Sequence, residues 1–166
     1  MILSVDVGSV NMGIVLLKKV LGKYELVDLR VLRCTTIKKA TIARACSDMF
    51  ETLEEAIGSL DIKEALIEQQ PPRNTKTKVL SHCLQIYLLT KGVRCIRFCS
   101  PRNKLPGPKL RTYAERKKKA VALASRYLIP TVFYTKFCAM EKKDDVADAL
   151  LQAVHVYGIK DFITVI

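Results

Sequence analysis

Three apolar stretches fall within residues 2–32, Ile2 to Val7, Met12 to Leu17 and Tyr24 to Leu32, with the turn former Gly22 between the second and third. Turns join them, not helices, and consecutive strands joined by turns pair antiparallel. The chain therefore opens as a meander. Downstream the period changes. Ile42, Ala45, Cys46, Met49, Phe50, Leu53 and Ile57 recur at three-and-four spacing, which predicts a helix over Thr41 to Ile57 closed by Gly58. Ala65-Leu66-Ile67-Glu68 predicts a short buried strand, stopped at Pro71-Pro72 because proline donates nothing to a ladder. Thr77 to Leu89 predicts a second helix ended by Gly92, and Val93 to Phe98 a fifth strand. Ser100 to Pro108 reads as a loop, and Arg111 to Leu128 and Asp144 to Tyr157 as further helices. Strands first, then strand and helix in alternation, predicts an α/β fold with a five-stranded mixed sheet flanked by helices.

At 166 residues the chain fits one domain, residues 1–166, with core enough to need no disulfide. A hydrophobic fraction of 49% with charges interspersed excludes a disordered tail. No apolar run reaches the roughly 18 to 20 residues of a membrane span, and the start Met1-Ile2-Leu3-Ser4-Val5-Asp6 lacks the basic region of a secretory signal. The expectation is an intracellular, cytoplasmic protein. Six cysteines without a C-x-x-C pair read as reduced, mostly buried small hydrophobes. Cys95, Cys99 and His82 do not have the spacing of a common zinc site. The charge balance is more telling: 28 Lys and Arg against 16 Asp and Glu leave +12, with a pI near 9.6. Such an excess serves attraction to a polyanion, nucleic acid ahead of an acidic membrane surface.

Against that background the acidic residues are out of place. Asp6 ends the apolar run Ile2-Leu3-Ser4-Val5, and Glu68 ends Ala65-Leu66-Ile67, both at strand ends where α/β sheets open a crevice. Asp145 and Asp148 lie three apart on a helix whose apolar face is Val146, Ala147, Leu150, Leu151 and Val154, so their carboxylates stack on one side and repel. Capping and the macrodipole account for Asp144, but Asp148 is a turn further in. Asp144 is four before Asp148 and can take the place of Asp145. Four carboxylates from three separated segments make sense around a cation. An all-oxygen set without His or Cys suits Mg²⁺ or Mn²⁺, and two such ions about 3.5 to 4 Å apart can clamp both oxygens of a phosphodiester displacement.

Between Arg102 and Lys119 stand eight basic residues, Arg102, Lys104, Lys109, Arg111, Arg116, Lys117, Lys118 and Lys119, with the single acid Glu115. A solvated helix face normally mixes its signs; this one reads as a phosphate-binding surface. Arg73, Lys76 and Lys78, just past Glu68, would add phosphate contacts at the crevice rim. One lysine of 117 to 119 could stabilise charge on a scissile phosphate, and their spacing around a helix lets at most one or two reach it.

Ser4-Val5-Asp6-Val7-Gly8, Leu66-Ile67-Glu68-Gln69-Gln70, Tyr113-Ala114-Glu115-Arg116-Lys117-Lys118-Lys119 and Asp145-Val146-Ala147-Asp148-Ala149-Leu150 occur in this order along nearly the whole chain. The ordered set resembles the RuvC-like Holliday junction resolvases of the ribonuclease H-like superfamily, the poxvirus-type branch most closely. The resemblance implies a ribonuclease H-like fold and a homodimeric, Mg²⁺-dependent endonuclease that nicks opposing strands of a four-way DNA junction symmetrically. Carried over by position, it makes Asp6, Glu68, Asp145 and Asp148 metal ligands and Lys117 the catalytic lysine, with Lys118 and Lys119 adjacent. In a viral setting it implies resolution of branched replication products.

Three other readings compete. Asp6-Val7-Gly8 with Gly13 matches the D-x-G-x-x-x-x-G phosphate loop of ATP-binding actin-like folds, which need a second lobe. A ribonuclease H-like nuclease acting on structured RNA would use similar acids. A non-catalytic branched-DNA-binding protein would keep the carboxylates for structure. His82 and His155 read as structural or surface residues, although His155 is seven after Asp148 on its helix.

Overall fold

The computed structural model describes residues 1–35, 40–101, 105 and 112–163. Its elements are β1 (Ile2–Val7), β2 (Asn11–Val20), β3 (Lys23–Arg33), α1 (Ile42–Ile57), β4 (Glu64–Glu68), α2 (Thr75–Thr90), β5 (Cys95–Cys99), α3 (Tyr113–Leu128), α4 (Tyr134–Ala139) and α5 (Lys143–Tyr157). The strands form one sheet in the order β3-β2-β1-β4-β5. β1 to β3 pair antiparallel as the short connections require, whereas β4 and β5 run parallel to β1, each after a helical crossover. The sheet is thus mixed and five-stranded, as expected.

Alternation assigns the faces. Leu3, Val5 and Val7 of β1, Ile14 and Leu16 of β2, and Ala65 and Ile67 of β4 pack against Ala45, Met49 and Leu53 of α1 and Leu80, Leu84 and Leu88 of α2. Ile2, Val15, Leu17 and Leu66 face the other way, onto Ala120, Ala124 and Leu128 of α3 and Val146, Leu150 and Val154 of α5. α1 and α2 lie side by side in parallel, since contacts advance together along both. Cys46 meets Cys83, the Phe50 ring stacks 5.6 Å from Tyr87, and Glu54 takes the Lys91 ammonium.

Helix starts follow local chemistry. Thr41 Oγ1 accepts from the Arg44 amide at 3.2 Å. α3 begins at Tyr113, because Thr112 and Glu115 close a capping box in which each side chain accepts the other's backbone amide. The single acid of the basic segment is therefore a cap. Arg102, Lys104, Lys109 and Arg111 of that segment lie outside the described residues. α4 was not expected: six residues are too few to show a period, and it is anchored by the fully buried Phe137.

The expectation that the cysteines are mostly buried is corrected. All six are free, but only Cys34 is buried, where burial pushes its thiol up to about 12; Cys95 and Cys138 are exposed. Cys95 belongs to an edge strand with one side open, and Cys138 to the short surface helix α4. His82 stands against the Phe98 ring, centroids 5.2 Å apart.

Val20 and Lys23 pair across a two-residue loop whose members, Leu21 at φ 49° and Gly22 at φ 81°, both take the left-handed conformation. Such a turn matches strand twist but strains a residue with a branched side chain, and Leu21 is 99% exposed and packs nothing. Leu21→Asn should raise stability by about 1 kcal/mol. A denaturant midpoint that stays put or falls, at unchanged slope, would contradict this.

Candidate active site

The sheet register sets up a row of residues on the face that α3 and α5 cover. Asp6 pairs with Gly13 of β2. The last bonded pair of β1 with β4 is Val5 with Ile67, so Glu68 follows beside Asp6, and Glu68 in turn pairs with Cys99. Neighbouring strands are about 4.8 Å apart, which puts the two carboxylates side by side where their strands end.

α5 is drawn down onto this row by buried polar contacts within an apolar interface. Ser4 Oγ donates to the Ala149 carbonyl at 2.7 Å, and Gln152 Nε2 donates to Ser4 Oγ at 3.1 Å. Each group is satisfied only if the helix keeps its register on β1, so the pair acts as a latch. Gly13 is the second device. A Cβ there would lie 2.1 Å from the Asp145 carbonyl oxygen and 2.3 Å from its carbon, so the first turn of α5 rests directly on the β2 backbone. The close approach brings Asp144, Asp145 and Asp148 over Asp6. Neither device was recognised in the sequence. The available signals were a serine inside an apolar strand and a glutamine inside an apolar helix.

α3 supplies the cation. Lys117 precedes the buried Ala120 and Ala124 by one and two turns on the side facing α5, whereas Lys118 is exposed and Lys119 half-buried. Lys117 Nζ stands 3.0 Å from Asp148 Oδ2, 3.2 Å from Asp144 Oδ2 and 3.6 Å from Asp145 Oδ1. Burial disfavours the charged ammonium, but Asp148, Asp6 and Asp144 more than offset it and raise the Lys117 pKa. Asp145 is also raised, first by burial and then by the neighbouring Asp144 charge. The structure thus brings Asp144 and Asp145 together at one centre.

The remaining expected residues are spread around this centre. Arg73 and Lys78 are exposed, and Lys78 lines a cleft of about 660 Å³ with Gln69, Gln70 and His82 just beyond Glu68. Lys76 instead donates to the Ala40 carbonyl at 2.8 Å. Arg116 is exposed and lies over the Tyr113 ring. His155 is exposed in the last turn of α5, near the far end of the helix from Asp144. Both glycines of the D-x-G-x-x-x-x-G match have packing reasons: a Cβ on Gly8 would lie 2.1 Å from the Asn11 carbonyl oxygen, and Gly13 seats α5.

Among the described residues, no three His, Cys, Asp or Glu side chains stand ready to hold a metal ion as they are. The Lys117 ammonium lies among the carboxylates and offsets part of their charge. Its surroundings, carboxylate oxygens from one helix with Asp6 close enough to act on it, are the hard, all-oxygen donor set that a divalent cation needs.

The family model described as the poxvirus A22 protein matches residues 1–160. The chain belongs to the poxvirus A22 protein family. Solved structures share the fold of this A22-family chain. They include the fowlpox virus resolvase in complex with substrate Holliday junction DNA, at 14% identity and TM-score 0.72, covering 95% of this chain and 96% of that one. The Thermus thermophilus RuvC in complex with a Holliday junction substrate aligns at 13% identity and TM-score 0.63 over 94% and 92% of the two chains. The yeast mitochondrial Holliday junction resolvase Ydc2 aligns at 16% identity and TM-score 0.65 over 94% and 78%. At these identities the likeness establishes the ribonuclease H-like fold of the A22-family chain. No curated protein matches it in sequence.

Lys117→Met would leave the carboxylates of α5 and Asp6 without their balancing cation. Without divalent ions the variant should melt roughly 5 to 10 °C below the parent, and millimolar Mg²⁺ should recover more of its midpoint than it adds to the parent. Equal midpoints in chelator would show that the ammonium does not balance the cluster.

Proposed function

We infer that this chain is a structure-selective DNA endonuclease that resolves Holliday junctions by paired symmetric nicks. The observation that carries the reading is the convergence of Asp6 and the α5 aspartates on one lysine, with Glu68 following beside Asp6 on the neighbouring strand, in a protein of net charge +12. Membership of the A22 family and the junction-bound relatives of the same fold support it. The chain acts as a homodimer, since two opposed nicks need two centres. Its site is intracellular, in the cytoplasm where a virus of this family would replicate its DNA; no helix is long and apolar enough to cross a membrane among the described residues.

Asp6, Glu68, Asp148 and Asp145 or Asp144 would hold two Mg²⁺ ions, for which Mn²⁺ can substitute. When bound, the ions supply charge against the attacking and leaving oxygens of the scissile phosphate. The chain's own residues do the rest. The latch of Ser4 and Gln152 holds the α5 carboxylates over those of the sheet. Lys117 would donate to a non-bridging phosphate oxygen and stabilise the charge that develops there. Arg73, Lys78, Arg116, Lys118 and Lys119, with Arg102, Lys104, Lys109 and Arg111, grip the flanking phosphates. The Lys76 ammonium joins them on releasing Ala40.

The test is incubation with labelled four-way junction, linear duplex, structured RNA and ATP, with Mg²⁺, with Ca²⁺ and with chelator. Paired nicks confined to the junction and to Mg²⁺ are expected, with Ca²⁺ supporting binding and little turnover because its looser shell relaxes the geometry. Preferential cutting of RNA, turnover of ATP, or binding without cleavage would each replace this reading by the corresponding alternative.

A further inference from the structure

On the side of the centre away from Arg73 and Lys78, a cleft of about 750 Å³ opens between the meander and α4. Its lining includes Asn11, Arg30, Arg33, Lys136, Glu141 and Lys142. Both walls are continuous in the chain with the acidic centre. Asn11 follows the turn after Asp6, and Lys142 stands two residues before Asp144. Four cations share one open cleft with a single acid on its lining.

Their arrangement is not that of a casually solvated surface. Asp28, largely shielded behind the cleft, orients two of them: its Oδ2 accepts from Arg30 Nε at 2.6 Å and its Oδ1 from Lys136 Nζ at 2.6 Å. Both contacts hold against the cost of burying Asp28, whose carboxyl they pull below its ordinary range. Arg33 and Lys142 have no ion pair among the described residues, so the cleft keeps net positive charge. Lys142 is moreover the N-cap of α5, with Lys143 next and no capping side chain. That end of a helix carries partial positive charge and normally takes Ser, Thr, Asp or Asn, so lysine there costs local stability. A rule broken locally beside a functional centre points to a use for the charge.

We propose that the cleft of Arg30, Arg33, Lys136 and Lys142 is a second phosphate track, which takes the sugar–phosphate backbone of a DNA arm on the β3 side of the acidic centre. The cations lie open on the cleft and can release counterions to a phosphate chain, which is the physics of non-specific backbone binding. The guanidiniums of Arg30 and Arg33 add the bidentate geometry that a phosphate accepts. Together with Arg73 and Lys78 on the opposite flank, the track lets the nucleic acid cross the carboxylates instead of ending at them. The proposal rests on the junction-cleaving reading and extends it to a binding surface.

The experiment measures binding of a labelled four-way junction in Ca²⁺ as a function of salt. Arg33→Ala with Lys142→Ala should weaken binding more than tenfold near 100 mM salt and flatten the log–log salt slope by about 1.8, the loss of two phosphate contacts. Arg33→Gln alone should produce about half of that change, and Arg33→Lys should keep the slope while losing the bidentate contact. The single substitutions, checked by melting, keep the test decisive if the double variant folds poorly. A parent that binds the junction steeply and variants that share its slope would overturn the track and leave the proposed function standing. A parent that binds no junction would overturn both.

Discussion

Asp148→Asn should bind a four-way junction as the parent does and cut it at least about 100-fold more slowly. The carboxylate is the nearest of the three to Lys117, at 3.0 Å, and its side chain is only 13% exposed. Asparagine keeps the shape and loses the charge, so neither the helix nor the phosphate grip is disturbed. What is lost is the strongest single attraction on the lysine and, on the proposed function, one hard anionic ligand. Cleavage by Asp148→Asn at the parental rate would remove the α5 aspartates from the chemistry, and with them the assignment of the centre. A parallel loss of binding and cleavage would mean that Asp148 acts on fold or grip.

Gly13→Ala should damage the same chemistry from a residue that bears no functional group. Its new methyl would lie 2.1 Å from the Asp145 carbonyl oxygen and 2.7 Å from the Val146 nitrogen, both backbone atoms that cannot rotate aside. α5 must lift away from β2, at a cost of about 1 to 3 kcal/mol as overpacked cores show. The lift separates Asp145 and Asp148 from Asp6, and a displacement near 1 Å is worth about 100-fold in rate. A lower denaturant midpoint together with cleavage slowed by that factor is expected. Gly13→Ala with parental stability and parental cleavage would show that α5 does not depend on this approach.

How far each part could be read depends on how far apart its determinants lie. The meander was legible because its turns are local, and α1, α2 and α5 because their apolar periods are long. α4 was not, since a six-residue helix held by Phe137 has no period of its own. Asp6, Glu68, Asp145 and Asp148 were legible as misplaced charges, two at the ends of apolar strands and two stacked on a helix. The sequence left open which of Lys117, Lys118 and Lys119 faces them. The packing of Ala120 and Ala124 against α5 settles the rotation of α3 and selects Lys117. The packing role of Gly13 was not legible, because a glycine shows no partner until the element that needs the space is in place.

Residue chemistry and local spacing by themselves determined the class of fold, the excess of positive charge and the set of acids that cannot stand alone. Only the tertiary structure decided that α5 sits on β2 through Gly13, that Ser4 and Gln152 latch it, and that Asp28 aligns two cations from β3 and α4. The reason is physical. Period, capping and turn chemistry act over a few residues and leave their mark in the chain. A close approach between segments more than a hundred residues apart is set by excluded volume and by pairing of buried polar groups, which exist only once the two surfaces meet.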